Sequence, residues 1–160
     1  MIKRLLFFVI ITVILTSCLK KPTSSCSFQD STLVAPAAEV STLQSWITIN
    51  HPTAILHPSG FFYEIIDPGT GTGSPVICST VLVKYVGTLT NSTQFDSNTT
   101  GVSFALGQLI VGWQKGIPLV KRGGTVKLYI PPSLGYGANQ AGTIPPNSNL
   151  VFTIQLMDFQ

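Results

Sequence analysis

The spacing of hydrophobic and polar positions changes character along the chain. Met1 to Ser17 (MIKRLLFFVIITVILTS) opens on a basic pair, Lys3 and Arg4, and is apolar from Leu5 to Leu15. That run is shorter than the roughly 20 residues a membrane span needs and has the build of a signal peptide. Lys20 to Ala35 is polar and rich in Ser and Thr, the composition of a spacer. Pro36 to Trp46 predicts a short helix: Pro suits a first turn, Glu39 lies near the positive end, and Val40, Leu43 and Ile47 share one face. Asn50-His51-Pro52 ends it. Such a helix either packs on the domain that follows or serves as an arm for pairing, and the sequence leaves both open.

From Gly60 the period becomes that of strands. Phe61 to Ile66 forms one, closed by Asp67-Pro68-Gly69, and Val76 to Leu89 forms another, ending at the Asn91-Ser92 turn. Phe104 to Leu106 is a short strand, and Ile110 to Leu119 is a brief helix starting near Val111 despite its glycines. Gly123-Gly124 turns into a strand from Thr125 to Ile130. Pro131 to Asn149 is a long Gly/Pro-rich loop, and the alternating Leu150 to Phe159 closes the chain. The expected fold is α+β: an antiparallel sheet of about five strands wrapped around one short helix, with an extra N-terminal helix. The expected organisation is a signal peptide over 1–17, a spacer over 18–35, a helical arm over 36–59 and one domain over 60–160.

Composition removes several classes of function. The 160 residues carry 9 Lys and Arg against 6 Asp and Glu, a net charge of +3. Loss of Lys3 and Arg4 with a leader leaves a nearly neutral chain without a clustered basic face, so nucleic acid is not an expected partner. Gly69 to Gly73 (GTGTG) lacks the Gly-Lys-Ser/Thr ending of a phosphate loop. His51 and His57 each precede a proline, without a nearby carboxylate and Cys cluster, so no metal is expected. No Gly-x-Ser-x-Gly elbow occurs. Asn91-Ser92-Thr93 and Asn98-Thr99-Thr100 match the glycosylation pattern and mark exposed turns.

Leu15-Thr16-Ser17-Cys18 resembles the lipobox of bacterial lipoproteins, which implies lipid on Cys18 and cleavage just before it. Cys26 and Cys78 remain, and two thiols in an oxidising compartment are expected to pair. A bridge closing a loop of about 50 residues is worth roughly 3 to 4 kcal/mol in the chain-entropy account.

Ordered motifs then carry a family resemblance. Val83-Lys84-Tyr85-Val86-Gly87, Gln94-Phe95-Asp96-Ser97, Phe104-Ala105-Leu106-Gly107 and Leu109-Ile110-Val111-Gly112-Trp113 follow one another. Gly135-Tyr136-Gly137, Ile144-Pro145-Pro146-Asn147 and Leu150-Val151-Phe152 complete the series. In this order the segments resemble the FKBP family of peptidyl-prolyl isomerases across roughly Gly60 to Gln160. The resemblance implies cis–trans isomerisation of X-Pro bonds in exported proteins as they fold, without a cofactor or metal. It implies Trp113 as the floor for a proline ring, with Tyr85, Phe95, Ile110, Tyr136 and Phe152 as walls. The Ile110 N–H and the Tyr136 hydroxyl would bond substrate carbonyls, Asp96 would lie against Tyr85, and Ile144 would close the pocket. Val102, Phe104 and Leu109 complete the expected substrate surface.

The chain departs from the family pattern at Val102, where many members have an aromatic, so one wall is thinner. Leu109-Ile110 sits closer to Gly107, and the loop from Asn139 to Thr143 is shorter and lacks His. These departures bear on substrate preference and on macrolide inhibitor binding. A rival reading keeps the same cup as a non-catalytic module that grips Pro-containing chains as a chaperone or assembly partner. The expected location is outside the cytoplasm, lipid-anchored to a membrane on the periplasmic face or the cell surface.

Overall fold

The computed structural model describes residues 26–160; the apolar leader and Cys18 lie outside the described residues. Helix α1 spans Ala37–Asn50, followed by strands β1 (Ile55–Leu56), β2 (Phe62–Asp67), β3 (Thr80–Leu89) and β4 (Gln94–Ala105). Helix α2 (Val111–Gly116), β5 (Thr125–Ile130) and β6 (Leu150–Phe159) complete the order. The strands form one sheet in the order β1-β2-β5-β6-β3-β4, and every pair is antiparallel.

Sequence and structure differ at a few boundaries. The sheet has a sixth strand, β1, whose two residues are too few to show a period. Strand β3 starts at Thr80 rather than Val76, because Val76 to Ser79 folds back on itself. The Ser79 N–H donates to the Val76 carbonyl at 2.8 Å, and the Val76 N–H donates to Ser79 Oγ at 3.2 Å. Phe104 is not in a separate strand but near the end of the long β4, whose polar middle (DSNTT) hides it from a periodicity argument. Helix α1 begins after Pro36 and continues past Trp46 to Asn50. Four of its polar side chains are satisfied within the helix: the Thr42, Ser45 and Thr48 hydroxyls and the Asn50 amide each donate to a carbonyl one turn back.

Alternation along β5 and β6 sorts the two faces of the sheet. Val126, Leu128, Ile130, Leu150, Phe152, Ile154 and Leu156 point inward and are buried with α2 in the main core. Tyr129 and Val151 point the other way and pair in register with Phe62 across β2, β5 and β6. Leu43 and Ile47 of α1 cover that outer row, and both are fully buried. Each such side chain contributes about 1.5–3 kcal/mol by leaving water. The N-terminal helix therefore packs on the domain. Glu39 fastens its start by accepting the Ser133 N–H at 2.9 Å.

Helix α2 lies tight against β5 because its glycines face the strand. A Cβ on Gly112 would come within 2.5 Å of the Ile130 side chain, and one on Gly116 would overlap Leu128. Cys26 and Cys78 form a disulfide with their Cα atoms 5.7 Å apart. Residues 26–36 hold no helix or strand, yet Ala35 is buried and its N–H donates to the Ser59 carbonyl at 2.9 Å.

Candidate active site

A cavity of about 250 Å³ opens between the inner face of the sheet, the start of α2 and the long loop. Tyr85, Asp96, Phe104, Leu109, Ile110, Trp113, Tyr136 and Phe152 line it. Strand alternation aims Tyr85, Phe104 and Phe152 at it from β3, β4 and β6. Ile110 caps α2, and Trp113 stands on its first turn.

Trp113 is 4% exposed and sits at the centre of an aromatic box. Tyr85, Phe104 and Phe152 meet its ring edge-on, with centroids at 5.1, 6.2 and 5.1 Å and interplanar angles of 78°, 79° and 89°. These are favoured arrangements of aromatic quadrupoles, and they hold the indole at one angle. Its Nε1–H is buried with no hydrogen-bond partner among the described residues. A plain core selects against such an unmet donor, which costs about 1–3 kcal/mol.

The rim is polar. The Tyr85 hydroxyl donates to Asp96 Oδ2 at 2.6 Å. Burial, then the hydrogen bond to Asp96 and its charge, push the Tyr85 phenol up to about 12. Burial and the Asp96 charge raise the Tyr136 phenol as well, and Tyr136 remains 43% exposed at the mouth. Both phenols are therefore protonated donors at neutral pH.

Three expected site residues stand back from the cavity. Phe95 meets Phe152 edge-on at 5.4 Å and supports that wall from behind. Gly87 makes this possible, since a Cβ there would lie 2.7 Å from both rings. Val102 pairs with Val83 in the sheet and packs on the core. Ile144, on the long loop itself, turns its side chain into the core cluster and bridges Ala141.

Gln114 joins the site without a motif or a period that marks it in the sequence. Its Nε2 donates to the Leu109 carbonyl at 2.7 Å and to the Gly107 carbonyl at 3.3 Å. It thereby fixes the turn that delivers Leu109 and Ile110 to the cavity. A Gln beside a buried Trp on a short helix carries no periodic signal. The Ile110 N–H at this lip donates to no acceptor among the described residues, while its carbonyl accepts from Trp113 and Gln114 at 2.9 and 3.1 Å.

Comparison with known proteins places this geometry. A family model described as FKBP-type peptidyl-prolyl cis-trans isomerase matches residues 71–157. The chain is 42% identical over 103 residues to FkpA of Escherichia coli, covering 62% of this chain and 38% of that protein. It is 45% identical over 107 residues to FK506-binding protein 1 of Dictyostelium discoideum, covering 63% of this chain and 99% of that one. It is 39% identical over 110 residues to the outer membrane protein MIP of Legionella longbeachae, covering 66% and 47%. The crystal structure of FkpA from Escherichia coli superposes with a TM-score of 0.69 at 35% identity, over 78% of this chain and 58% of that one. The chain thus spans about two fifths of the length of the FkpA proteins it matches.

Proposed function

The chain belongs to the FKBP-type peptidyl-prolyl cis-trans isomerase family, and from that premise we propose that it catalyses rotation about X-Pro bonds in exported proteins as they fold. The observation that carries this reading is the Trp113 floor: a buried indole framed by three ring edges beneath an open mouth.

The chemistry follows from the amide. An X-Pro bond rotates slowly because resonance holds it planar, with a barrier of about 18–20 kcal/mol. Twisting it breaks the resonance and lowers the charge separation between nitrogen and oxygen. A surface of aromatic and aliphatic groups with little water disfavours the polar planar form relative to the twisted one. The proline ring would rest on Trp113 between Tyr85 and Phe152. The Ile110 N–H would hold one substrate carbonyl and the Tyr136 hydroxyl its neighbour. Asp96 would keep the Tyr85 hydroxyl turned to the rim. No nucleophile or metal is required for these steps.

Location follows from the other end of the chain. Cleavage before Cys18 and lipid on its thiol would tether the domain to a membrane surface outside the cytoplasm. A disulfide between Cys26 and Cys78 suits an oxidising compartment, and the name of the MIP relative belongs to the outer membrane. The cup would also accept a proline-mimicking macrolide, as the name of the Dictyostelium relative suggests.

The test is refolding of a substrate whose slow phase is proline isomerisation. Substoichiometric protein should accelerate that phase, whereas a holdase acts only near equal concentration. Absence of acceleration at any concentration, unchanged by Trp113→Ala, would sink the enzymatic reading. Absence of radiolabelled palmitate on the parent would sink the lipid anchor, and incorporation that survives Cys18→Ser would sink Cys18 as its site.

A further inference from the structure

The turn that forms one lip of the cavity is gripped from two sides. Gln114 holds the Gly107 and Leu109 carbonyls from within. From outside, Phe28 lies directly over Gly107: a Cβ built on that glycine would fall within 2.7 Å of both Phe28 Cβ and Cδ1. Phe28 is two residues from Cys26, whose bridge to Cys78 anchors the segment. The residue after Cys78 reaches the same turn, since the buried Ser79 accepts the Leu106 N–H through its carbonyl at 2.9 Å. Leu106–Gln108 then runs straight into Leu109 and Ile110, both of which line the cavity.

We propose that Phe28, held down by the Cys26–Cys78 bridge, is a positioning residue for the Leu109–Ile110 lip, so that the grip of the cup on a proline peptide depends on the bridge being closed. The inference rests on the proline-binding reading of the cup. Between Cys26 and Ala35 the segment has no regular structure, and Phe28 is its one aromatic side chain. One ring contact does not outweigh the conformational entropy of ordering that segment. The covalent link removes most of this cost by making the contact local to the bridge. Without Phe28 the turn keeps its Gln114 clamp but loses packing on its outer side. A less organised lip weakens binding more than it slows rotation of a bound peptide.

The experiment compares the full chain with Phe28→Ala, the conservative Phe28→Leu and the double variant Cys26→Ser/Cys78→Ser. Phe28 is 36% exposed, so truncating it leaves the core intact. Proline-peptide isomerisation should show KM raised about fivefold in Phe28→Ala and in the double serine variant, with kcat within about twofold. Phe28→Leu should recover most of the loss. Amide exchange supplies a readout independent of activity: the Leu106 and Leu109 N–H groups should exchange about tenfold faster in both variants. An unchanged exchange rate at Leu109, or an unchanged KM where the parent protein is active, overturns the inference. A parent protein that neither isomerises proline peptides nor shows quenching of Trp113 by a macrolide overturns the function instead, and the exchange measurement still decides the role of Phe28.

Discussion

The Tyr85 hydroxyl donates to Asp96 Oδ2 at 2.6 Å, tying β3 to β4 at the mouth of the cavity. Tyr85 also presents its ring to Trp113 at 5.1 Å, so one side chain serves both the rim and the wall. Burial, then the bond to Asp96 and its charge, raise the phenol to about 12. A folded value above the ordinary 10 means that the stabilisation is complete below about pH 10 and is lost as pH rises through about 12. Alkaline titration followed by phenolate absorbance should show this tyrosine ionising late. Asp96→Asn should bring it part of the way back, since burial remains. The pair is solvent-accessible, so Tyr85→Phe should cost about 1 kcal/mol, or about fivefold in kcat/KM. An unchanged kcat/KM would show that the rim bond plays no part in binding.

Replacements at Trp113 distinguish packing from the proposed catalysis. Replacement by Ala leaves a void among Tyr85, Phe104 and Phe152 and should destabilise the domain by about 3–5 kcal/mol. Trp113→Phe keeps an aromatic floor and should cost only about 1–2 kcal/mol in urea denaturation. Its smaller face should still lower kcat/KM by about tenfold. Equal activity of the Trp and Phe forms would show that the floor needs only apolarity.

Strand periodicity makes much of this fold legible in the sequence. The inward side chains of β5 and β6 recur at every second residue, and both strands occupy the segments the pattern predicts. Tyr85, Ile110, Trp113, Tyr136 and Phe152 could be named because motifs in order mark them, not because periodicity does. What stayed hidden depends on contacts distant in sequence. Phe28 reads as a stray apolar residue in a spacer until the Cys26–Cys78 bridge lays it over Gly107. Gln114 reads as a solvated helix residue until the turn folds over its amide. The outer row of Phe62, Tyr129 and Val151 needs strand pairing, which a single sequence does not give.

The glycines of α2 set two effects against each other. Helix propensity alone says that Gly116→Ala should stabilise by about 1 kcal/mol. A Cβ there would overlap the Leu128 side chain, and one on Gly112 would press on Ile130. Overpacking of this kind costs about 1–3 kcal/mol, so either alanine variant should lower stability despite its better propensity. Urea denaturation decides the sign. A gain would mean that α2 has room to move away from β5.

Gln114 tests the inner side of the lip. Gln114→Ala frees the Leu109 and Gly107 carbonyls and should raise KM several-fold, roughly threefold to tenfold, with a smaller change in kcat. Gln114→Glu is nearly isosteric but turns a donor into a carboxylate facing two carbonyl oxygens. It should therefore be at least as damaging at neutral pH, and it should recover as the carboxyl is protonated near pH 4–5, about where a Glu normally titrates. A Glu variant that matches the parent at pH 7 would show that this side chain does not hold the turn.

The outer face carries its own pH dependence, away from the cup. His51 follows α1, its ring lies 5.2 Å from Trp46 and 4.7 Å from Tyr129, and its Nδ1 is 3.7 Å from Glu64 Oε2. Burial and the Lys127 charge lower its pKa, against the opposing pull of Glu64. Glu64 also accepts hydrogen bonds from Thr53 and Tyr129. A histidine with a folded pKa below its unfolded value takes up its proton more readily when the chain unfolds. Its effect is absent above about pH 6.5, and stability falls as pH drops from there through the folded value. His57 adds in the same direction, because burial and Lys115 lower it too. Unfolding free energies measured from pH 7.5 to pH 5 should therefore decline, and His51→Gln should flatten part of that decline. Refolding catalysis by the same variant should be unchanged, since Trp46 and Tyr129 lie across the sheet from Trp113. A His51→Gln profile parallel to the parent's would place the acid sensitivity elsewhere in the domain.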